Sequence, residues 1–339
     1  MNRAPLILVS LLALLASLPF APPARAHHGV AAVGAAGPEG PGAALETTGA
    51  LPLPQRRLFA MLKSEVVSFE PFARAEPTNK AFSAFNMLAL GYGLLPWLTA
   101  YVFQPVNVKS QDGVGTNAHV GDTSVMLALA FKVDEGLRLV PERESLDELM
   151  DWHFSLWASC TLPVGPTTRR DDHDQYFAPD MQTGFGLPSP ALGLAVLKQL
   201  SDDVTWLAEV NYQQFFAHTY PWTRYRFGGE TRLNNAFTWR MVARGAFRAD
   251  LAAEVLALHL QRDQERNDAG DMESLTASGG LVLYAGLGVR LFYDSWSLTV
   301  GAKRALPLHG LLNEGDQQQG SEGLENVRVS ATLGWSVGL

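Results

Sequence analysis

The sequence predicts an all-β chain: a transmembrane antiparallel β-barrel of about twelve strands with one short periplasmic helix. Three observations carry that prediction. They are a long alternating segment at the C-terminal end, strand-like segments joined by alternately short and long connections, and an export signal on a chain with a single cysteine.

In the C-terminal segment Leu339, Val337, Trp335, Leu333, Ala331, Val329 and Val327 alternate with Gly338, Ser336, Gly334, Thr332, Ser330 and Arg328. Period-2 alternation makes one face apolar and the other small or polar. Free termini usually fray, whereas the last strand of a barrel pairs with the first and so removes both edges. An edge strand of a soluble sandwich would alternate in the same way, so the other two observations decide.

At the N-terminal end, Arg3 precedes an apolar run over residues 6–18, and Ala24-Arg25-Ala26 has the small-residue form of a cleavage site. Residues 1–26 read as a signal peptide; a cut after Ala24 is the alternative. Cleavage after Ala26 leaves a chain beginning His27-His28-Gly29. Losing Arg3 and Arg25 takes the formal charge from −8 to −10, which argues against nucleic acid as a partner. Cys160 alone offers no intramolecular disulfide framework. No later apolar run approaches the twenty residues of a spanning helix. The expected location is therefore the outer membrane of a Gram-negative cell, reached by export, with membrane lipid and the barrel-insertion machinery as partners.

Three regions are expected: signal peptide 1–26, leader 27–55 and barrel 56–339. The leader is rich in Ala, Gly and Pro and lacks the apolar mass for a core. It reads as an extended periplasmic segment or one tucked into the barrel mouth. Strands are expected over 57–69, 82–92, 97–107, 121–133, 152–162, 190–198, 204–214, 230–241, 246–259, 279–291, 295–304 and 325–338. Tight turns (93–96, 199–203, 242–245, 292–294) alternate with long polar loops (70–81, 108–120, 163–189, 215–229, 260–278, 305–324), the pattern of periplasmic turns and external loops. The segment 134–151 breaks the rule. Its Ser145-Leu146-Asp147-Glu148 has capping-box spacing and predicts the helix.

Alternation assigns faces on several strands. Val204, Trp206, Ala208, Val210 and Tyr212 would meet lipid while Thr205, Glu209, Asn211 and Gln213 point inward. Phe247, Ala249, Leu251, Ala253 and Val255 would face out, opposite Arg248, Asp250 and Glu254. Trp97, Trp152, Trp206, Trp239, Trp296 and Trp335 lie near strand ends, as aromatic girdles do. Segments 82–92 and 97–107 show no clear face.

The lumen is expected to carry Lys63, Glu65, Glu209, Arg232, Arg240, Arg248, Asp250, Glu254, Arg290, Lys303 and Arg328. Twelve strands tilted about 40° at ~4.8 Å spacing give a backbone diameter of roughly 24 Å, leaving a narrow passage. Mixed signs fit either a salt-bridged packing network or a constriction that selects small polar or zwitterionic solutes. No catalytic constellation stands out, so the chain does not read as an enzyme. His259, near the external rim, is the nearest candidate for lipid-modifying catalysis, and it has no serine nearby in sequence.

Metal readings attach to three places. His27 and His28, with a free α-amino group, form an N-donor set suited to copper or nickel, the basis of an alternative function as a metal-linked binding protein. The loop from Arg169 to Asp174 is acidic. Asp263, Glu265, Asn267, Asp268 and Asp271 approach calcium-loop composition without its spacing.

Three stretches resemble an outer-membrane barrel family labelled "MetA-pathway of phenol degradation". They are His27-His28-Gly29 with Glu39-Gly40-Pro41-Gly42 and Leu45-Glu46-Thr47; Leu90-Gly91-Tyr92-Gly93 to Pro96-Trp97-Leu98; and Gly184-Phe185-Gly186-Leu187-Pro188-Ser189-Pro190. The resemblance implies a porin-like transporter channel for a small solute, such as a small aromatic or other organic compound, passing by uptake or efflux. The chain departs from barrel habit in ending on Leu339 rather than Phe.

Overall fold

The computed structural model describes residues 44–69, 81–111, 114–134, 136–141, 150–275, 278–306 and 325–339. Twelve strands form the barrel: β1 (Arg57–Phe69), β2 (Ala81–Leu95), β3 (Leu98–Gln111), β4 (Thr123–Val133), β5 (Trp152–Leu162), β6 (Ser189–Gln199), β7 (Val204–Gln213), β8 (Glu230–Arg244), β9 (Phe247–Leu260), β10 (Gly280–Tyr293), β11 (Trp296–Ala305) and β12 (Glu325–Gly338). Each pairs antiparallel with its neighbours in the chain. β1 and β12 close the ring from Arg57 opposite Gly338 to Ser68 opposite Val327. The C-terminal alternating segment is thus the closing strand, and the Leu339 amide donates to the Arg56 carbonyl at 2.9 Å.

Turn chemistry sets one end of the barrel. Gly245 (φ 58°) and Asp294 (φ 53°) take the left-handed conformation in two-residue connections between β8 and β9 and between β10 and β11, as tight hairpins require. The opposite end carries the long loops. There β3 runs on into a hairpin with residues 115–120, and short strands at 218–219, 224–226, 264–266 and 272–274 form a second small sheet. In the irregular 134–151 connection, Leu137–Leu139 pairs with the end of β4. The capping-box residues of the expected helix lie outside the described residues.

Outward positions are apolar around the ring, with Leu62, Leu88, Leu127, Leu192, Leu233, Val255 and Leu287 all exposed. A contiguous apolar belt of this kind needs a hydrocarbon phase, not water, to cover it. The faces assigned on β7, β9 and β12 hold: Glu209, Asp250, Glu254 and Arg328 are buried inside, while Val210, Val255 and Val329 face out. All six girdle tryptophans fall at the short-turn end, where Trp152 and Trp206 meet edge-on and Trp296 lies against Trp335. The other two have different places: Trp157 points into the lumen and Trp222 lies in a loop.

One region corrects the simple rule of apolar outside and polar inside. On β1–β5 the inward side is also largely apolar, with Phe59, Met61, Phe85, Met87, Tyr101, Phe103, Met126 and Trp157 in one buried cluster. Two apolar faces give no alternation, which is why β2 and β3 showed no clear side.

Candidate functional site

The lumen is occupied. Residues 44–54 run inside the barrel, and the wall holds them by backbone and side chain alike. Glu254 on β9 accepts the amides of Leu45 (2.7 Å), Glu46 (3.0 and 3.1 Å to its two oxygens) and Thr47 (3.1 Å). Successive N–H groups converging on one carboxylate make a compact anion-binding turn. Glu209 on β7 accepts the Thr48 amide at 2.8 Å and is itself held by Asn211 and Asn234. Nearer the turn end, the Leu53 amide donates to the Thr99 hydroxyl at 3.0 Å, and the Leu53 side chain joins the apolar cluster.

Glycines cut the space for this segment. Gly288 and Gly301 are cross-strand partners on β10 and β11, and a Cβ on either would lie 2.3 Å and 2.9 Å from the Leu45 side chain, respectively. Where the leader leaves the barrel to begin β1, a Cβ on Gly93 would lie 2.0 Å from the Pro54 carbonyl oxygen.

Charge ties the leader to the wall. Lys303 and Arg328 face each other directly across β11 and β12, a like-charged juxtaposition that is unfavourable alone. Glu46 of the leader binds Lys303 (2.7 Å), and Glu65 binds both Arg328 (3.2 Å) and Lys63 (2.6 Å). Nearer the turn end, Arg248 clasps Asp250, whose register partners are Arg240 and Arg290. The Arg248 and Arg290 guanidinium groups lie 4.3 and 4.4 Å from the Phe292 ring centre. Arg232 pairs with Glu230 at 2.6 Å.

Of the expected lumen residues, Lys63, Glu65, Glu209, Asp250, Glu254, Arg290, Lys303 and Arg328 are buried, Arg232 and Arg248 are half-buried beside Glu230 and Asp250, and Arg240 is half-buried in register with Asp250. Sequence reasoning missed Glu46 as a partner, although it is one of only two acids between residues 27 and 55. It also missed Lys132 and His153, both buried at the turn end beside Asp151. Their inward parity on β4 and β5 was the available signal.

On the loop side of the leader a small chamber remains, ≈ 70 Å³ in volume. Phe103, Met126 and Trp157 form one wall, and Glu209, Asn211 and Arg232 stand in the other. The Trp157 indole packs against Gly193, where a Cβ would come within 2.3 Å of the ring. A cavity of about 150 Å³ is enough for benzene, so with the leader in place the chamber has room for waters and not for an aromatic ring.

The long loops close over this chamber. Asp122 accepts the amides of Gly165 and Phe185, each at 2.7 Å, and burial pushes its carboxyl up to about 6. Asp263 accepts from the Tyr225 hydroxyl (2.5 Å) and the Gly228 amide (2.6 Å); burial, followed by that neighbouring carboxylate, raises the Tyr225 phenol well above its usual range. Phe215, Tyr220, Tyr225 and Phe227 form the apolar centre of the cap.

The cation readings of these loops find no support in their geometry. Asp171 accepts the amides of His173 and Gln175, Arg170 pairs with Asp174, and Asn267 accepts from the Asp271 amide. Among the described residues no group of three or more His, Cys, Asp or Glu is placed to hold a metal. His27 and His28 lie outside the described residues. His259 is exposed on the outer wall between Thr231 and Leu281; the adjacent Glu230, opposite Leu260, is buried on the other face and paired with Arg232.

The architecture has known counterparts. The chain is similar to the crystal structure of an outer membrane channel from Pseudomonas putida F1, with TM-score 0.62 and 14% identity, over 85% of this chain and 98% of that one. More distant likeness links it to the NanC porin (TM-score 0.41, 9% identity, 83% and 100% covered) and to the β-domain of the Bordetella autotransporter BrkA (TM-score 0.43, 12% identity, 84% and 99% covered). The first likeness shows the barrel fold of an outer-membrane protein. No protein-family model and no curated protein matches the chain.

Proposed function

We propose that this chain is an outer-membrane channel of a Gram-negative cell that passes a small amphipathic organic solute when its leader shifts. The short turns then face the periplasm and the long loops the exterior. The observation that carries the reading is the two-faced chamber sealed by residues 44–54. An apolar wall of Phe103, Met126 and Trp157 suits a ring or short chain, while Glu209, Asn211 and Arg232 offer acceptors and donors to a polar head. The motif resemblance to a phenol-degradation family supports a small aromatic as the first solute to try.

Transport rather than catalysis fits the site. Its charged groups are engaged with one another and with the leader, so they fix a path rather than present an acid, base or nucleophile. Displacing the leader exposes Glu254, Glu209 and Lys303, whose partners are leader amides and Glu46. A solute carrying N–H or O–H donors can compete for those carboxylates, which couples binding to opening.

The test is quenching of Trp157 fluorescence by phenol in a variant whose other seven tryptophans are Phe, alongside vesicle uptake of labelled phenol. Saturable quenching with uptake supports the reading. Uptake that is equally fast for a glucose-sized polar control contradicts it.

A further inference from the structure

The outer wall carries a groove of ≈ 640 Å³ across β8–β12. Two neighbouring cross-strand rows build it. One runs Asn235, Val255, Ala285, Arg304; the next runs Phe237, Ala253, Leu287, Ala302. Alanines form its floor, and Phe237, Val255 and Leu287 stand as its walls. The lower row is wholly apolar, whereas the row nearer the loops carries a guanidinium and an amide.

Arg304 is exposed there and pairs with no carboxylate among the described residues. Its height is set by its own strand. Trp296, in the girdle, lies eight residues earlier on β11. At about 3.3 Å per residue and about 40° of tilt, Arg304 stands roughly 20 Å above the tryptophan level. An outward apolar band of about 25 Å places that height close to the opposite headgroup layer. A cation there faces phosphate, not water alone. Asn235 accepts from the Trp206 indole N–H at 3.2 Å, which leaves its amide N–H groups for a second polar contact.

We infer that this groove is a binding site for a phosphorylated lipid of the outer leaflet, with an acyl chain on the alanine floor and its phosphate against Arg304. The inference rests on the membrane orientation proposed above. Asn235, about 14 Å from Arg304 by cross-strand spacing and bonded to the girdle residue Trp206, lies below the headgroup layer beside the acyl chain, and the phosphate contact belongs to Arg304. The walls Phe237, Val255 and Leu287 are exposed on the outer face, while Glu254 and Lys303, which also line the groove, belong to the lumen side of the same wall.

Native mass spectrometry of the full chain, released from micelles after incubation with lipid A, tests this. The comparison lipid is diacylglycerol, which has acyl chains and no phosphate. The expected result is one retained lipid A, lowered about tenfold by Arg304→Gln, the effect of one charge-assisted hydrogen bond. Ala302→Phe, which fills the groove and leaves every charge in place, lowers retention of both lipids. Equal retention of the two lipids by the natural chain, or retention unchanged in both variants, overturns the site. Reconstitution into vesicles, with protease access to the long loops, reads the orientation separately. Loops accessible only from the interior would remove the orientation premise, while a correctly oriented barrel with no lipid A preference would remove the site alone.

Discussion

The two halves of the lumen solve the same problem by opposite means. On β1–β5 the interior is filled like a protein core: Phe85, Met87, Tyr101 and Phe103 are buried against Leu53 of the leader. On β7–β12 Glu209, Glu254 and Lys303 each grip the same leader, beside smaller apolar clusters that include Leu207 with Ala236 and Leu256 with Tyr284. Apolar contact is non-directional, so on that side the Leu53–Thr99 hydrogen bond fixes the leader's register. The polar half is directional, and each of its groups is costly to leave unmatched. The leader meets both kinds of wall, through Glu209, Glu254 and Lys303 on one side and through Thr99 and the apolar cluster on the other.

The largest expected stability effect breaks the ion cluster where β1 meets β12. Glu65→Ala removes the buried carboxylate that Lys63 and Arg328 share, and losing one partner of a buried pair costs about 3–5 kcal/mol. Urea unfolding in lipid vesicles measures it, and a loss below about 1 kcal/mol would show that water already screens these charges. Met87→Ala is the counterpart on the apolar side, where a cavity costs about 2–3 kcal/mol. Because that wall has no specific partner to lose, Met87→Leu should restore nearly all of the stability by the same assay.

Gly193→Ala sharpens the contrast at the chamber. The added methyl would overlap the Trp157 indole, with an overpacking cost of about 1–3 kcal/mol. The ring must tilt into the lumen, so near-ultraviolet circular dichroism should change and phenol quenching should weaken. An unchanged spectrum would mean that the indole does not pack against Gly193.

The smallest effect is a pH dependence outside both halves. Burial raises the Asp122 carboxyl to about 6 in the folded cap, against an ordinary value of 3.8. The folded state therefore binds the proton more tightly, and stability rises as pH falls through 6 towards 4. Between pH 7 and pH 5 the gain is about 1 kcal/mol. The urea midpoint should rise over that interval, and Asp122→Asn should flatten the rise. A midpoint that falls on acidification by the same amount would reverse the assignment.

Much of the fold was legible in the sequence because barrel strands obey one rule wherever the lumen is polar. Glu209, Arg248, Asp250, Glu254 and Arg328 could be placed by parity alone. Parity failed on β2 and β3, where Phe85, Met87, Tyr101 and Phe103 line the inside as apolar residues. The occupied lumen was hidden for a different reason. The leader owes its position to backbone amides meeting Glu254 and Glu209, and a backbone amide leaves no mark in the residue pattern. Only Glu46 and Leu45 show it, through Lys303 and through the glycines at 288 and 301, and those links cross more than two hundred residues. The even distribution of tryptophans along the chain concealed a single girdle, because strand direction alternates and six strand ends met at one rim.

The most direct test of the account is single-channel conductance in planar bilayers, comparing the full chain with a variant lacking residues 44–54. The occupied lumen predicts small, infrequent openings for the full chain and a conductance at least about tenfold larger without the segment, since a barrel of roughly 24 Å backbone diameter is then open between its side chains. Equal conductance in the two proteins, with both inserted and folded, would contradict the leader as the element that closes the path.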